Sequence, residues 1–226
     1  MRVFDLRTGR SCERDDAQAI ELARAELKDG HGVISPTDTV FGLLADARNR
    51  ASVAQIATIK QRASSTPPPV LIDSVEMATS LVNEDRRPLF ARIAELWPGP
   101  LSVVIDVDCS LGESVNPGIG TVALRIPAPA WLRALCSDLP LAASSANLHG
   151  QPTPSEVTEV IAGLRGADND LHPWLTLALD RAASGAVAST VIDLSVDPPR
   201  VLRHGALPCA EVRHYLPQLE CSHAQP

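Results

Sequence analysis

Apolar residues recur every three or four positions in several segments of the chain, which is the period of an amphipathic helix. In residues 15–29, DDAQAIELARAELKD, an apolar stripe of Ile20, Ala23 and Leu27 follows a capping aspartate and precedes Gly30, a residue type that often ends helices. The same spacing predicts further helices at residues 50–60, 74–82, 86–96, 128–138 and 154–164.

Runs of aliphatic and β-branched residues between these helices predict buried strands. They lie at residues 32–36, 70–72, 101–107, 121–127, 139–144, 175–180, 189–195 and 200–205. Residues 36–43 are expected to form a turn, and residues 109–120 a loop that contains glycine and proline. This order predicts an α/β fold, a twisted mixed sheet with flanking helices in one domain. The domain is expected to span residues 1–206, and residues 207–226 to form a short helix and a tail.

Composition makes this an ordinary globular chain with a core of small aliphatic side chains. Of the 226 residues, 45% are hydrophobic and only 3% are aromatic. The sequence has no run of 18 apolar residues, so a membrane span is not expected. The first residues also lack the apolar segment of a signal peptide. We therefore expect a cytoplasmic protein without a membrane contact.

Charge argues against a protein that wraps nucleic acid over its whole surface. The formal net charge is −7, with 20 basic and 27 acidic residues. Such wrapping would need a dominant basic face, which this balance argues against, although a few cations inside a cavity can still bind a nucleotide.

The five cysteines, at positions 12, 109, 136, 209 and 221, show no CxxC pair. An odd number without metal-ligand spacing argues against a zinc site or a disulfide framework. We expect reduced thiols.

Polar side chains follow two of the predicted strands. Thr37, Asp38 and Thr39 come after the first strand, and Ser145 and Asn147 follow the strand at 139–144. Ligands of α/β sheets gather at strand ends, although both segments are also ordinary turn sequences. The phosphate-binding patterns GxxxxGK[ST] and GxGxxG are absent, so a nucleotide would be held in another way.

Four cations are placed where they could meet an anion. Lys60 and Arg62 lie where the helix at 50–60 ends, just before three consecutive prolines. Arg125 and Arg203 lie in strands that otherwise look buried. Such an arginine needs a cavity or a carboxylate partner, and Asp106 is a candidate partner for Arg125. No histidine shows metal-ligand spacing, so no metal site on protein side chains is expected.

Seven of these segments resemble one family. They are PTDTVFGL, KQR, WPGPL, TVALRIP, SSANLHG, STVID and VLRHGA, and their order and spacing are similar to those of the YrdC-like (YrdC/YciO/Sua) threonylcarbamoyl-AMP synthases. The resemblance extends from about residue 15 to residue 206 and implies the single-domain form. It also implies a twisted mixed sheet with a large concave pocket.

The resemblance implies an activity and a set of site residues. Relatives make threonylcarbamoyl-AMP and pyrophosphate from L-threonine, bicarbonate and ATP, with Mg²⁺ carried by the ATP. A transferase complex, with which transient contact is expected, then modifies tRNA. By the family's motifs, Thr39 and Arg125 match the threonine side of the pocket. The residues that match nucleotide contacts are Lys60, Arg62, Ser145, Asn147, Ser189 and Arg203, and the first two would also stabilise charge during catalysis.

The sequence departs from the family's motifs at several positions. Ala63 and Thr66 follow the KQR motif where a proline and a lysine or asparagine are usual, and Ala143 and His149 replace serines. These changes leave open a paralogue that makes another carbamoyl-adenylate, or an inactive one. A module that binds RNA on the concave face is a further alternative, which the acidic composition and the few aromatics disfavour.

Overall fold

A computed structural model describes residues 1–5, 13–60, 67–107, 109–148, 150–165, 172–180 and 187–221. Within these ranges the strands form one sheet in the order β1-β8-β2-β3-β7-β4-β6-β5-β9-β10. Their bounds are β1 Arg2–Asp5, β2 Gly32–Pro36, β3 Phe41–Asp46, β4 Val70–Leu71, β5 Leu101–Asp106, β6 Thr121–Arg125, β7 Leu141–Ser145, β8 Leu175–Asp180, β9 Thr190–Asp193 and β10 Arg200–Arg203.

The sheet is mixed, as predicted. Parallel pairs join β8 to β1 and β2, β4 to β6, and β5 to β9. Antiparallel pairs join β3 to β2 and β7, β4 to β7, β5 to β6, and β9 to β10. The predicted α/β class with a mixed sheet is therefore confirmed.

Helices flank the sheet, and local capping explains where some of them begin. Their bounds are α1 Glu13–Lys28, α2 Arg50–Ile59, α3 Val75–Leu81, α4 Arg87–Ile93, α5 Cys109–Val115, α6 Ala130–Leu135, α7 Val157–Gly163 and α8 Cys209–Tyr215, with 3₁₀ turns at Glu84–Arg86 and Ala94–Leu96. Asn49 caps α2 by accepting a hydrogen bond from the Ser52 amide at 3.2 Å. Ser74 caps α3 in the same way, with the Met77 amide at 3.2 Å. No helix of the described residues has the length and apolarity needed to cross a membrane.

The sheet buries both of its faces. Neighbouring residues of β3 belong to different apolar clusters: Leu43 packs in the larger one, and Leu44 packs in the smaller one. Because successive strand residues point to opposite faces, the two clusters lie on opposite sides of the sheet. Ala23 of α1 and Leu132 of α6 belong to the smaller cluster, whereas α2, α4 and α8 contribute to the larger one.

Three elements differ from the sequence prediction. β3 begins inside the segment expected to be a turn, and all six of its residues are buried, so it shows no alternation of polar and apolar positions. α5 replaces the first part of the expected loop at 109–120. Gly112 lies within it, and a Cβ there would come 2.9 Å from the Gly120 Cα. This close approach requires glycine at position 112, and a glycine in the sequence is typical of a loop. β1 had no counterpart among the predicted strands.

The prediction of unpaired thiols is wrong for Cys209 and Cys221. They form a disulfide with a Cα–Cα distance of 6.3 Å, which links the start of α8 to the segment after it. That segment also bonds to β10, because the Val201 amide donates to the Glu220 carbonyl at 2.8 Å. Cys136 is a buried free thiol at the C-terminal end of α6, and burial raises its pKa. Cys12 lies outside the described residues.

Candidate functional site

A cavity of about 460 Å³ lies at the ends of several strands. Its walls come from the 37–40 turn and the start of β3, the prolines at 67–69, the end of β7, and the chain around Ser189 and Arg203. We call it the main cavity. Among the residues predicted from sequence, it is lined by Thr39, Arg125, Ser145, Ser189 and Arg203. The fold therefore brings Thr39 and Ser189, which are 150 positions apart in the sequence, to one site.

The 37–40 turn is held by the hydroxyl of Thr37. Its Oγ1 accepts from the amides of Thr39 at 3.1 Å and Val40 at 3.2 Å, and donates to the Val40 carbonyl at 2.7 Å. The Thr39 hydroxyl lies 3.0 Å from that of Thr37. The turn is thus stabilised locally, as threonine-rich turns commonly are, and it holds the Thr39 hydroxyl at the cavity wall.

Asp38 of this turn pairs with Arg125 of β6. The Arg125 Nη2 donates to Asp38 Oδ2 at 2.6 Å, and the two side chains are only 8% and 10% exposed. Burial lowers the pKa of Arg125, while the negative charge of Asp38 raises it. The interpretation of Asp106 as the partner is wrong, because Asp106 instead lies 3.4 Å from the Nε of Arg86.

Arg203 is the second guanidinium of the main cavity. The expectation that its strand is buried is wrong, because three of the four residues of β10, including Arg203, are exposed. Its Nε and Nη2 donate to the Ser189 carbonyl at 3.1 and 2.9 Å, and Nη2 also contacts Ser189 Oγ at 3.1 Å. The Ser189 hydroxyl in turn lies 2.9 Å from that of Ser102. Burial, followed by the positive charge of Arg125, lowers the pKa of Arg203. No carboxylate of the described residues forms an ion pair with Arg203, so the described lining of the cavity has an excess of positive charge.

Lys60 lies just beyond α2 and is buried, with 4% exposure, instead of projecting from the rim. Its Nζ contacts the Ser145 carbonyl at 2.5 Å and hydroxyl at 3.2 Å, and the Asn147 carbonyl at 2.8 Å and side-chain Oδ1 at 3.1 Å. Thr153 also donates to Asn147 Oδ1, at 3.2 Å. The lysine therefore holds the turn that carries two of the predicted nucleotide contacts.

Several predicted positions have other outcomes. Arg62, Ala63, Thr66 and His149 lie outside the described residues, so their placement stays a prediction. Ala143 is buried and lines the main cavity. No group of three or more His, Cys, Asp or Glu side chains of the described residues is arranged to hold a metal ion.

Two polar residues of the main cavity were not among the predicted site residues. Asp38 was noticed only as a polar turn residue, and Ser102 was read as part of a strand. The signal for Asp38 was the unpaired Arg125 itself, because a buried guanidinium requires a carboxylate that does not need to be near in sequence. Ser102 gave no signal, since its contact with Ser189 depends on the pairing of β5 with β9.

Gly205 allows Arg203 to reach Ser189. A Cβ at position 205 would lie 2.3 Å from the Ser189 carbonyl carbon, which is backbone and cannot rotate away. We expect Gly205→Ala to lower the free energy of unfolding by about 1–3 kcal/mol, as overpacking does. Urea denaturation measures this effect. Gly163→Ala is the matched control, because nothing lies within 4 Å of its added Cβ. Equal stability of the two variants would contradict the close approach.

Comparison with known families gives one match over most of the chain. A family model named Sua5/YciO/YrdC, with the description "Telomere recombination", matches residues 25–205. A putative threonylcarbamoyl-AMP synthase of Mycobacterium leprae is 37% identical over 202 residues, which make up 88% of this chain and 89% of the relative. The threonylcarbamoyl-AMP synthase of Pyrococcus abyssi is 31% identical over 92% of this chain, which spans only 60% of that longer relative.

Solved structures show the same fold. The structure of P. abyssi Sua5 complexed with L-threonine superposes with a TM-score of 0.81 at 30% identity, covering 97% of this chain and 62% of that one. Escherichia coli YciO superposes with a TM-score of 0.71, covering 92% of this chain and 98% of its own. At 20% identity the likeness to YciO is evidence for the fold alone.

Proposed function

The chain belongs to the Sua5/YciO/YrdC family, and on this premise we propose that it is an L-threonylcarbamoyladenylate synthase. It would join L-threonine, bicarbonate and ATP into threonylcarbamoyl-AMP and release pyrophosphate, which makes it a nucleotidyltransferase. The names of its relatives support this activity, and so does the threonine complex of the Pyrococcus relative. The product would pass in the cytoplasm to a transferase complex that modifies tRNA.

The observation that carries this proposal is the charge of the main cavity. Arg125 and Arg203 supply two positive charges, and Asp38 neutralises one of them. The remaining positive charge suits an anionic group such as the carboxylate of an amino acid or a phosphate. Hydroxyl-bearing side chains around them, including Thr39, suit a ligand that itself carries a hydroxyl, as threonine does.

The reaction requires two bond-forming steps. First, bicarbonate gives carbon dioxide and hydroxide, and the amine of threonine attacks the carbon dioxide and passes a proton to the hydroxide, so that a carbamate and water form. A carbamate oxygen then attacks the α-phosphorus of ATP in line, the bond between that phosphorus and the bridging oxygen breaks, and pyrophosphate leaves. Because negative charge develops on phosphate oxygens, catalysis depends mainly on cations and oriented donors. No step requires a dedicated protein base.

We assign the cavity residues to two parts of this reaction. Thr39 and Arg125 would bind threonine, and Ser145, Asn147, Ser189 and Arg203 would bind the nucleotide. Lys60 and Arg62 would stabilise the phosphate charge. The contacts of Lys60 with Ser145 and Asn147 support this grouping, because they place an ammonium among the proposed nucleotide contacts. Mg²⁺ would arrive as the complex with ATP.

Release of pyrophosphate tests the proposal. We expect release from ATP only when threonine and bicarbonate are both present, because the carbamate is the nucleophile. A coupled pyrophosphate assay with each component omitted in turn measures this dependence, and mass spectrometry identifies the adenylate. Release without bicarbonate, or none with all three substrates, would refute the proposed activity.

The same assay separates the alternatives. Carbamoyl phosphate in place of threonine and bicarbonate tests for a paralogue with another carbamoyl substrate. Pyrophosphate release from ATP with that compound, in the absence of threonine and bicarbonate, would favour the paralogue. Binding of RNA in the absence of ATP, with a steep dependence on salt, would favour the nucleic-acid module.

A further inference from the structure

Two buried hydroxyl groups meet at the wall of the main cavity. Ser102 lies on β5 and Ser189 lies just before β9, and the two residues are only 3% and 4% exposed. Their Oγ atoms are 2.9 Å apart, and both residues line the main cavity. We call these two groups the hydroxyl pair. Only Ser189 is matched by the family's motifs, so Ser102 is a polar residue of the cavity without an assigned role.

The pairing of β5 with β9 holds the two serines side by side. Leu101 is the register partner of Thr190 in this parallel ladder, and the Thr190 amide donates to the Pro100 carbonyl at 2.9 Å. Ser189 precedes Thr190 by one residue, so the same ladder places it beside the start of β5. Because the register of a buried strand is strongly specified, the sheet itself maintains the contact between the hydroxyls.

Arg203 limits how the hydroxyl pair can share its protons. Its Nη2 donates to Ser189 Oγ at 3.1 Å, so this oxygen acts as an acceptor toward the guanidinium. Each serine hydroxyl has a single proton, and only one of the two protons can lie between the two oxygens. Neither hydroxyl has another acceptor among the described residues. One proton of the pair is therefore available to a ligand.

The arrangement in which Ser102 donates suits an anion beside Arg203. Ser189 Oγ then accepts from both Ser102 and Arg203, which fills its two acceptor positions and leaves one direction for its own proton. A hydrogen bond to an ionised acceptor is among the strong ones, and the guanidinium attracts an anion to the same place. Such an anion would also offset the repulsion between the positive charges of Arg125 and Arg203.

We infer that Ser102 is a positioning residue, which donates to Ser189 and thereby aims the Ser189 hydroxyl at the anionic substrate group bound beside Arg203. This inference rests on the proposed function, in which Ser189 and Arg203 bind the nucleotide. In that assignment the anionic group is a phosphate of ATP, and the carboxylate of threonine has the same acceptor chemistry. Ser102 itself would not touch the substrate.

A double-mutant cycle tests whether Ser102 acts through Ser189. We expect Ser102→Ala to weaken ATP binding about three- to tenfold, and Ser189→Ala to weaken it about 10- to 100-fold, the ranges for a neutral and a charge-assisted hydrogen bond. Adding Ser102→Ala to Ser189→Ala should weaken binding by less than about a further twofold, because the residue that Ser102 orients is already absent. Isothermal titration calorimetry with ATP and, separately, with threonine measures the wild type and the three variants.

Ser52→Ala is the matched control. Ser52 is also 3% exposed, and its Oγ donates to the Gly30 carbonyl at 2.7 Å, but it does not line the main cavity. We expect its replacement to lower the urea midpoint at least as much as Ser102→Ala does, and to leave ATP affinity within about twofold. Equal losses of ATP affinity in the two variants would mean that binding merely follows stability, which would overturn the positioning role.

The outcomes separate this inference from the proposed function. Wild-type protein that binds ATP, together with a Ser102→Ala variant of unchanged affinity for ATP and threonine, would overturn the positioning role and leave the activity standing. Additive losses in the double variant would also overturn it, since Ser102 would then contact the ligand directly. A non-additive loss confined to threonine would support the positioning role and identify the anion as a carboxylate. Wild-type protein that binds neither ligand would overturn both.

Discussion

Arg125→Leu is expected to lower the free energy of unfolding by about 3–5 kcal/mol, because the variant leaves the Asp38 carboxylate buried without its partner. It is also expected to reduce threonine-dependent pyrophosphate release about 10²-fold or more, through loss of a charge-assisted contact to the amino acid. Urea denaturation measures the first effect, and initial rates over a range of threonine concentrations measure the second.

The double variant Asp38→Asn with Arg125→Leu separates stability from activity. It removes both charges of the pair, so we expect it to recover most of the stability that the single variant loses. Activity should not recover, since the guanidinium is still missing. Recovery of both properties would mean that Arg125 serves only to neutralise Asp38. An unchanged stability in the single variant would contradict the buried pair.

Lys60→Met is expected to affect nucleotide binding and stability together. The ammonium contacts four oxygen atoms of Ser145 and Asn147. Without it, we expect the free energy of unfolding to fall by about 1–3 kcal/mol and pyrophosphate release to fall about 10²-fold or more. Methionine has a similar length and keeps the apolar contacts of the side chain, so the loss reports on the charge.

The control for Lys60 is Lys28→Met. Lys28 is an exposed lysine at the end of α1, and its replacement should change stability by less than about 0.5 kcal/mol. Calorimetry with ATP completes the comparison. If Lys60→Met retained wild-type stability and lost only ATP affinity, the lysine would act on the nucleotide directly and not through the turn. If ATP affinity were also retained, the assignment of Lys60 would be wrong.

Much of the sheet could be predicted from local sequence because its strands are short aliphatic runs. The runs at 101–107 and 121–127 were expected to be strands, and β5 and β6 form an antiparallel pair within them. α5 could not be predicted, because Gly112 occurs there for its contact with Gly120. A contact between two glycines leaves no pattern of apolar and polar positions.

The candidate site was harder to predict where it depends on residues distant in the sequence. Asp106 was named as a candidate partner of Arg125, whereas the observed partner Asp38 lies 87 positions away in the sequence. Lys60 looked like a helix-end cation, and only the packing of β7 beside β3 brings the Ser145 carbonyl to its ammonium. The cysteine pair was missed for a related reason, since a separation of 12 residues follows no common motif.

The disulfide has a consequence for the edge of the sheet at β10. β10 is the last strand of the sheet, and strands at sheet margins expose amide and carbonyl groups that can pair with another molecule. Here the backbone of Glu220 bonds to Val201 and Pro199, beside the cystine at Cys221. The disulfide links the segment at Glu220, which covers part of β10, to α8, and α8 packs into the core through Val212. Protection of this margin against intermolecular strand pairing is therefore anchored in the core itself.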